Sequence, residues 1–150
     1  MRLVTGQDEI VANFVSQAYG RKIHPPYTAI GWVAVDHIGN WKLISGAVFN
    51  DYSGASIELT FCGKLTRQVC RDIGNYVFCQ LKCLRLTVRT MRKNKAITKL
   101  LFDHGWICEG ELKRFYGSTK SQNALIYRLE AENAQRWMKN GIGPVASNPS

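Results

Sequence analysis

Between Leu84 and Trp106 the chain changes period once, and that change restricts what it can build. Leu84-Arg85-Leu86-Thr87-Val88-Arg89 alternates apolar and polar residues, which predicts a strand over 84–90. Asn94, a favoured N-cap, then opens the helical run Lys95 to His104, which stops at Gly105-Trp106. Immediately upstream, the β-rich run Ala55 to Phe61 leads into Leu65 to Leu81. There Leu65, Val69, Ile73, Tyr76, Val77 and Leu81 share one helical face. Gly74 inside that run costs about 1 kcal/mol relative to Ala. Strand, helix and strand in this order need a right-handed crossover and a parallel pair. The expected class is therefore α/β with a mixed sheet.

The flanks extend the pattern. Thr5-Gly6-Gln7-Asp8 resembles a capped helix start. Ile10, Val11, Phe14, Val15 and Ala18 follow at helical spacing, with Gly20 as terminator. His24-Pro25-Pro26 marks a loop. Ala29 to His37 and Trp41 to Phe49 read as a hairpin around Gly39-Asn40, and Asp51-Tyr52-Ser53-Gly54 as a further turn. Ile107 to Tyr116 and Ala124 to Leu129 are expected strands, and 130–140 a short helix. The order is α-β-β-β-α-β-α-β-β in a single domain over 1–140, with a flexible tail over 141–150.

Twenty Lys and Arg against eleven Asp and Glu give a net charge of +9, which favours polyanions. Nucleic acid is one such partner and a phosphorylated cofactor another. Arg89, Arg92, Lys93 and Lys95 gather where the predicted strand meets the Asn94 helix, either as nucleotide-phosphate ligands or as a solvated turn. No zinc-finger spacing, helix-turn-helix or RNA-motif aromatic pair is present. The five cysteines are odd in number and lack Cys-x-x-Cys, a pattern suited to reduced thiols in a cytoplasm. Cys79 and Cys83 have no His or second Cys pair to complete a metal site, so no metal is expected. No apolar run reaches the roughly 18 residues a membrane span needs, and the N-terminus has no signal-like stretch. His24, His37 and His104 read as structural, while Trp32 and Trp41 belong to the core or line an acceptor groove.

The residues from Ile57 to Trp106 carry a resemblance. A strand, a Gly-containing loop, a helix, a second strand and an Asn-initiated helix ending in Gly-aromatic resemble the acyl-CoA site of GNAT-type N-acetyltransferases. With the flanks, the resemblance covers roughly residues 3 to 130. It looks closest to a small, phage-encoded branch whose loop reads Leu-Thr-Arg, here Leu65-Thr66-Arg67. The resemblance implies a splayed central parallel pair that holds acetyl-CoA. It implies cofactor contacts from Phe61, Gly63, Lys64, Leu65, Thr66, Arg67 and Asn94, and a general base at Glu58.

Local sequence alone allows plainer roles: Gly63 ends a strand, Thr66 and Asn94 cap helices, and Glu58 faces solvent. Two departures from the family pattern stand out. Phe61, Lys64 and Thr66 occupy the key positions of a loop that usually reads Gln/Arg-x-x-Gly-x-Gly/Ala, and Leu101 replaces a Tyr thought to protonate the leaving thiolate. Glu109 to Arg114, with Ile126-Tyr127, looks similar to acetyltransferases of ribosomal-protein N-termini. The implied reaction is direct attack of a primary amine on acetyl-CoA. A protein or peptide amine is the favoured acceptor, a small molecule the other, and the enzyme is a monomer or dimer. The setting is cytoplasmic, including that of a phage protein in its host. The competing readings are a basic nucleic-acid-binding module and a catalytically silent GNAT-like interaction protein.

Overall fold

The structure, a computed structural model, describes residues 1–140; the expected tail from Gly141 lies outside the described residues. Strands β1 (Arg2–Val4), β2 (Thr28–Val35), β3 (Trp41–Asn50), β4 (Ser56–Gly63), β5 (Arg85–Met91), β6 (Ile107–Leu112) and β7 (Ala124–Glu130) form one sheet in the order β1-β2-β3-β4-β5-β7-β6. β4 and β5 run parallel, and the other neighbours pair antiparallel. The helices are α1 (Asp8–Tyr19), α2 (Arg67–Gly74), α3 (Lys95–Asp103) and α4 (Ala134–Asn140). The expected α/β class and mixed sheet are thus present, and α2 makes the crossover that joins the parallel pair.

Each face of the sheet has its own core. Val11, Ala12 and Val15 of α1 pack on Ala29 and Val48. On the opposite face Val69, Cys70 and Ile73 of α2 pack on Ile57, Leu59, Leu86 and Leu129, with Leu101, Trp106, Ala134 and Trp137 alongside. Such side chains contribute roughly 1.5–3 kcal/mol each when fully buried. Of the two hairpin tryptophans, Trp32 is core, and its indole N–H donates to Asp72 Oδ2 at 2.9 Å. Trp41 is exposed.

Several elements differ from expectation. The first helix begins at Asp8 with Gln7 as N-cap, so Thr5 caps nothing. The residues before it join the sheet as β1, and Asp8 Oδ1 accepts from the Ala29 N–H at 3.2 Å, tying α1 to β2. The helix after β4 begins at Arg67, and beyond Gly74 it widens into π-type geometry over Asn75–Gln80. A Cβ on Gly74 would lie 2.4 Å from Met138 Cγ, so glycine there admits α4. β6 ends at Leu112 rather than Tyr116. A bulge interrupts it between Cys108 and Gly110, and the Asn123 carboxamide holds the chain beyond it by accepting from the Arg114 N–H at 2.9 Å.

Candidate acetyl-transfer site

The parallel pairing of β4 and β5 runs from Ser56↔Arg85 to Leu59↔Val88 and stops, although β4 continues to Gly63 and β5 to Met91. The strands therefore splay at their C-terminal ends. A cavity of about 840 Å³ occupies the gap. Thr87 Oγ1 donates to the Ile57 carbonyl at 3.4 Å, so the 57, 59, 61 edge of β4 faces β5. At Phe61 that edge has lost its partner strand, and the Tyr19 hydroxyl donates to the Phe61 carbonyl. Burial is the main cause that pushes the Tyr19 phenol above its usual range.

Alternation sorts the lining onto two faces. Ile57, Leu59, Phe61, Leu86 and Val88 pack toward α2, while Cys62 packs with the α1 core. Glu58, Thr60 and Arg89 thus project to the α1 side. The cavity runs through the sheet, from an apolar end built by Leu65, Ile97, Leu100, Leu101, Trp106 and Trp137 to a polar end.

Glu58 and Arg89 dominate the polar end. Arg89 Nε donates to Glu58 Oε2 at 2.5 Å and Nη2 to Oε1 at 2.7 Å, a two-pronged fork. The Glu58 side chain is only 12% exposed, so solvent does little to loosen this pair. The hydrogen bond to Glu58 is the main cause that raises the Arg89 pKa further. The Arg89 guanidinium also lies 4.9 Å from the Phe115 ring centroid, and that of Arg21 lies 5.3 Å from Tyr116. Asn50 sits directly opposite Glu58 in the β3–β4 register. Its Oδ1 borders the cavity, is buried, and has no hydrogen-bond partner among the described residues.

At the other end, Asn94 caps α3 by accepting from the Ile97 N–H at 3.4 Å, and it also lines the cavity. Trp106, 3% exposed, packs edge-on against Trp137, and its indole N–H has no partner among the described residues. Gly105, at φ +87°, makes the helix stop that places Trp106 there.

Of the expected site residues, Glu58, Phe61, Leu65 and Asn94 line the cavity. Gly63, Lys64, Thr66 and Arg67 form the turn at its border. Gly63 has φ +103°, and a Cβ there would lie 2.3 Å from the Ile44 carbonyl oxygen. Ser45 Oγ donates to the Lys64 carbonyl at 2.7 Å, and Thr66 Oγ1 accepts from the Val69 N–H at 3.2 Å. Within the basic cluster, Arg89 is held by Glu58 and Arg92 by Glu111 at 2.8 Å, while Lys93 lines the cavity. Sequence reasoning missed Asn50, Tyr19, Arg21 and the Phe115-Tyr116 wall. Asn50 follows from the hairpin register, but the others sit on loops or a helix end with no local signal. Among the described residues no group of His, Cys, Asp and Glu gathers to hold a metal. No described helix is long and apolar enough to cross a membrane.

Neither a protein-family model nor a curated protein sequence matches the chain. Solved structures do. A point mutant of spermidine N-acetyltransferase SpeG from Vibrio cholerae superposes with a TM-score of 0.68 at 12% identity, covering 89% of this chain and 97% of that one. The Vibrio cholerae enzyme in complex with CoA and spermine gives 0.65 at 13% identity, covering 89% and 97%. A structure of it described as dodecameric gives 0.66 at 13%, covering 87% and 94%. At such identities the likeness is one of architecture. The mixed sheet with its splayed parallel pair has the fold of GNAT-type acetyltransferases.

Proposed function

We propose that this protein is an N-acetyltransferase that moves an acetyl group from acetyl-CoA to a primary amine by direct attack. The observation that carries the reading is the cavity through the sheet where β4 and β5 part. The residues present suit the cosubstrate. The unpaired edges beyond Leu59 and Val88 offer backbone groups to an amide-rich arm, and the buried Trp106 N–H lacks an acceptor. Phe61, Leu65 and Asn94 line the gap. Gly63, Lys64, Thr66, Arg67 and the first-turn amides of α2 would hold the pyrophosphate. Thr66 Oγ1 accepts from Val69 and donates only to Met1 Sδ at 4.0 Å, a weak contact that a phosphate oxygen would replace. When bound, acetyl-CoA supplies an acyl group on a thiol of pKa near 8.5, a leaving group that departs without an acid. Leu101 in place of a Tyr is therefore no bar.

In this reading Glu58 is the general base. An N–C bond forms as a C–S bond breaks, the bonding pair leaves on sulfur, and one N–H proton passes to Glu58 directly or through water. Arg89 fixes the carboxylate in the gap, and each Glu58 oxygen keeps a lone pair beyond the fork. We favour a peptide or protein amine as acceptor. The spermidine and spermine named for the neighbouring structures are polycations, and Glu58 is the one carboxylate among the residues found lining the cavity. The protein would act as a monomer or dimer in a cytoplasm, a phage host's being one such setting.

The basic charge also favours nucleic acid, but the ion pairs Arg85–Glu109, Arg89–Glu58 and Arg92–Glu111 already engage three arginines of the β5 region. A silent interaction protein would bind CoA without turnover. The deciding experiment is thiol release from acetyl-CoA on addition of amines, with the acetylated product weighed by mass spectrometry. Release that depends on an amine supports the reading, and none with any amine contradicts it.

A further inference from the structure

The polar mouth of the cavity is richer in cations than in carboxylates. Arg21, Lys22 and His24, from the loop between α1 and β2, line it together with Arg89. Glu58 is the carboxylate there, and Arg89 already holds both of its oxygens. Asp51, next to Asn50 in sequence, lines with Glu109 an adjoining depression that shares Glu58 and Arg89 with the cavity, and its charge acts on Arg89 rather than on Arg21 or Lys22. Arg21 and Lys22 form no ion pair among the described residues. The Tyr116 ring positions the Arg21 guanidinium but does not neutralise it. Beside this cationic rim, Asn50 Oδ1 is a buried acceptor with no donor. An unmet acceptor next to a carboxylate suits an amine, and unmet cations at the rim suit an anion.

We infer that the acceptor carries a carboxylate or phosphate close to its reactive amine, so that Asn50 Oδ1 receives the amine while Arg21 and Lys22 receive the anion. This rests on the acyl-transfer reading and deepens it. A polyamine would bring further positive charge to a rim that is already positive. A free acidic amino acid and the acidic N-terminus of a peptide share the required chemistry.

The test uses the full chain and three comparisons. A peptide beginning Ser-Glu-Glu is set against its Ser-Gln-Gln counterpart, glutamate against glutamine, and spermidine against both. kcat/KM is read by thiol release, and acceptor affinity by isothermal titration in the presence of CoA. The acidic member of the productive pair should exceed its amide by roughly tenfold or more, the usual weight of a charge-assisted contact. The pair that shows the gap distinguishes peptide from small molecule, and spermidine should fall below both. Arg21→Glu combined with Lys22→Glu should bring the ratio to about one or invert it, with acetyl-CoA affinity retained. Three results overturn the inference: equal use of acid and amide, preference for spermidine, or a charge reversal that weakens acetyl-CoA binding while the acceptor ratio survives. Failure to bind acetyl-CoA, or to release thiol with any amine, instead removes the underlying reading and this inference with it.

Discussion

Glu58 and Asn50 face each other across the β3–β4 pairing, and Arg89 engages only the first of them. A lysine-like amine of pKa near 10.4 is mostly protonated at neutral pH, so a base contributes most where free amine is scarce. On the proposed mechanism, Glu58→Gln keeps the shape but loses the base. Turnover should drop by about 10²–10⁴-fold near pH 7 and by less near pH 9. A pH–rate profile parallel to that of the parent would remove Glu58 as base. Gly63 has a different job. It lies at φ +103°, against the Ile44 carbonyl and the Ser45 backbone, so Gly63→Ala strains both conformation and packing. Urea unfolding should show a loss of at least about 2 kcal/mol, and an unchanged midpoint would contradict this packing. Sequence placed Glu58 on its strand and Gly63 at its turn. The Glu58–Arg89 fork was hidden because Arg89 stood within a run of cations, and alternation fixes a face but not a partner across a parallel pair.

Among the elements, the junction of β4 with α2 does the most. Thr66 caps the helix, and its hydroxyl donates only to Met1 Sδ at 4.0 Å, a contact that a phosphate oxygen would replace on the proposed reading. Thr66→Ala should lower stability by about 1 kcal/mol and weaken acetyl-CoA binding, and Thr66→Ser should restore both. Loss of stability with unchanged affinity would leave Thr66 as a cap alone. The β4–α2–β5 order was readable because the hydrophobic period switches cleanly from two to 3.6 residues and back. β1 was not, since Arg2–Val4 has too few residues to show a period. The π-type stretch after Gly74 was hidden for another reason: α4 docks there through Met138, a contact far away in sequence. The same holds for Trp106. Its place after Gly105 was visible, but its unpartnered N–H beside the cavity depends on how α4 packs.

Across the whole molecule, burial acts on thiols as well as on the sheet. Cys70 is fully buried under α2, and burial raises its thiol to about 12. The folded state therefore holds the proton that the unfolded chain releases near pH 9. The resulting stability is complete below that pH and is lost as pH rises from 9 toward 12. Over that window Cys70 should lower stability by up to about 1.4 kcal/mol per pH unit. Cys70→Ala should remove that slope in urea titrations at paired pH values, and identical slopes would contradict it. The net charge of +9 favours polyanions. What it concealed is how unevenly the charge is spread, with arginines paired along β5 and cations unpaired at the cavity mouth. The central claim is that the gap between β4 and β5 accommodates acetyl-CoA, and isothermal titration of the full chain with acetyl-CoA tests it most directly. Saturable one-to-one binding that free CoA competes away is the predicted result. No heat and no saturation up to about 1 mM ligand would contradict it.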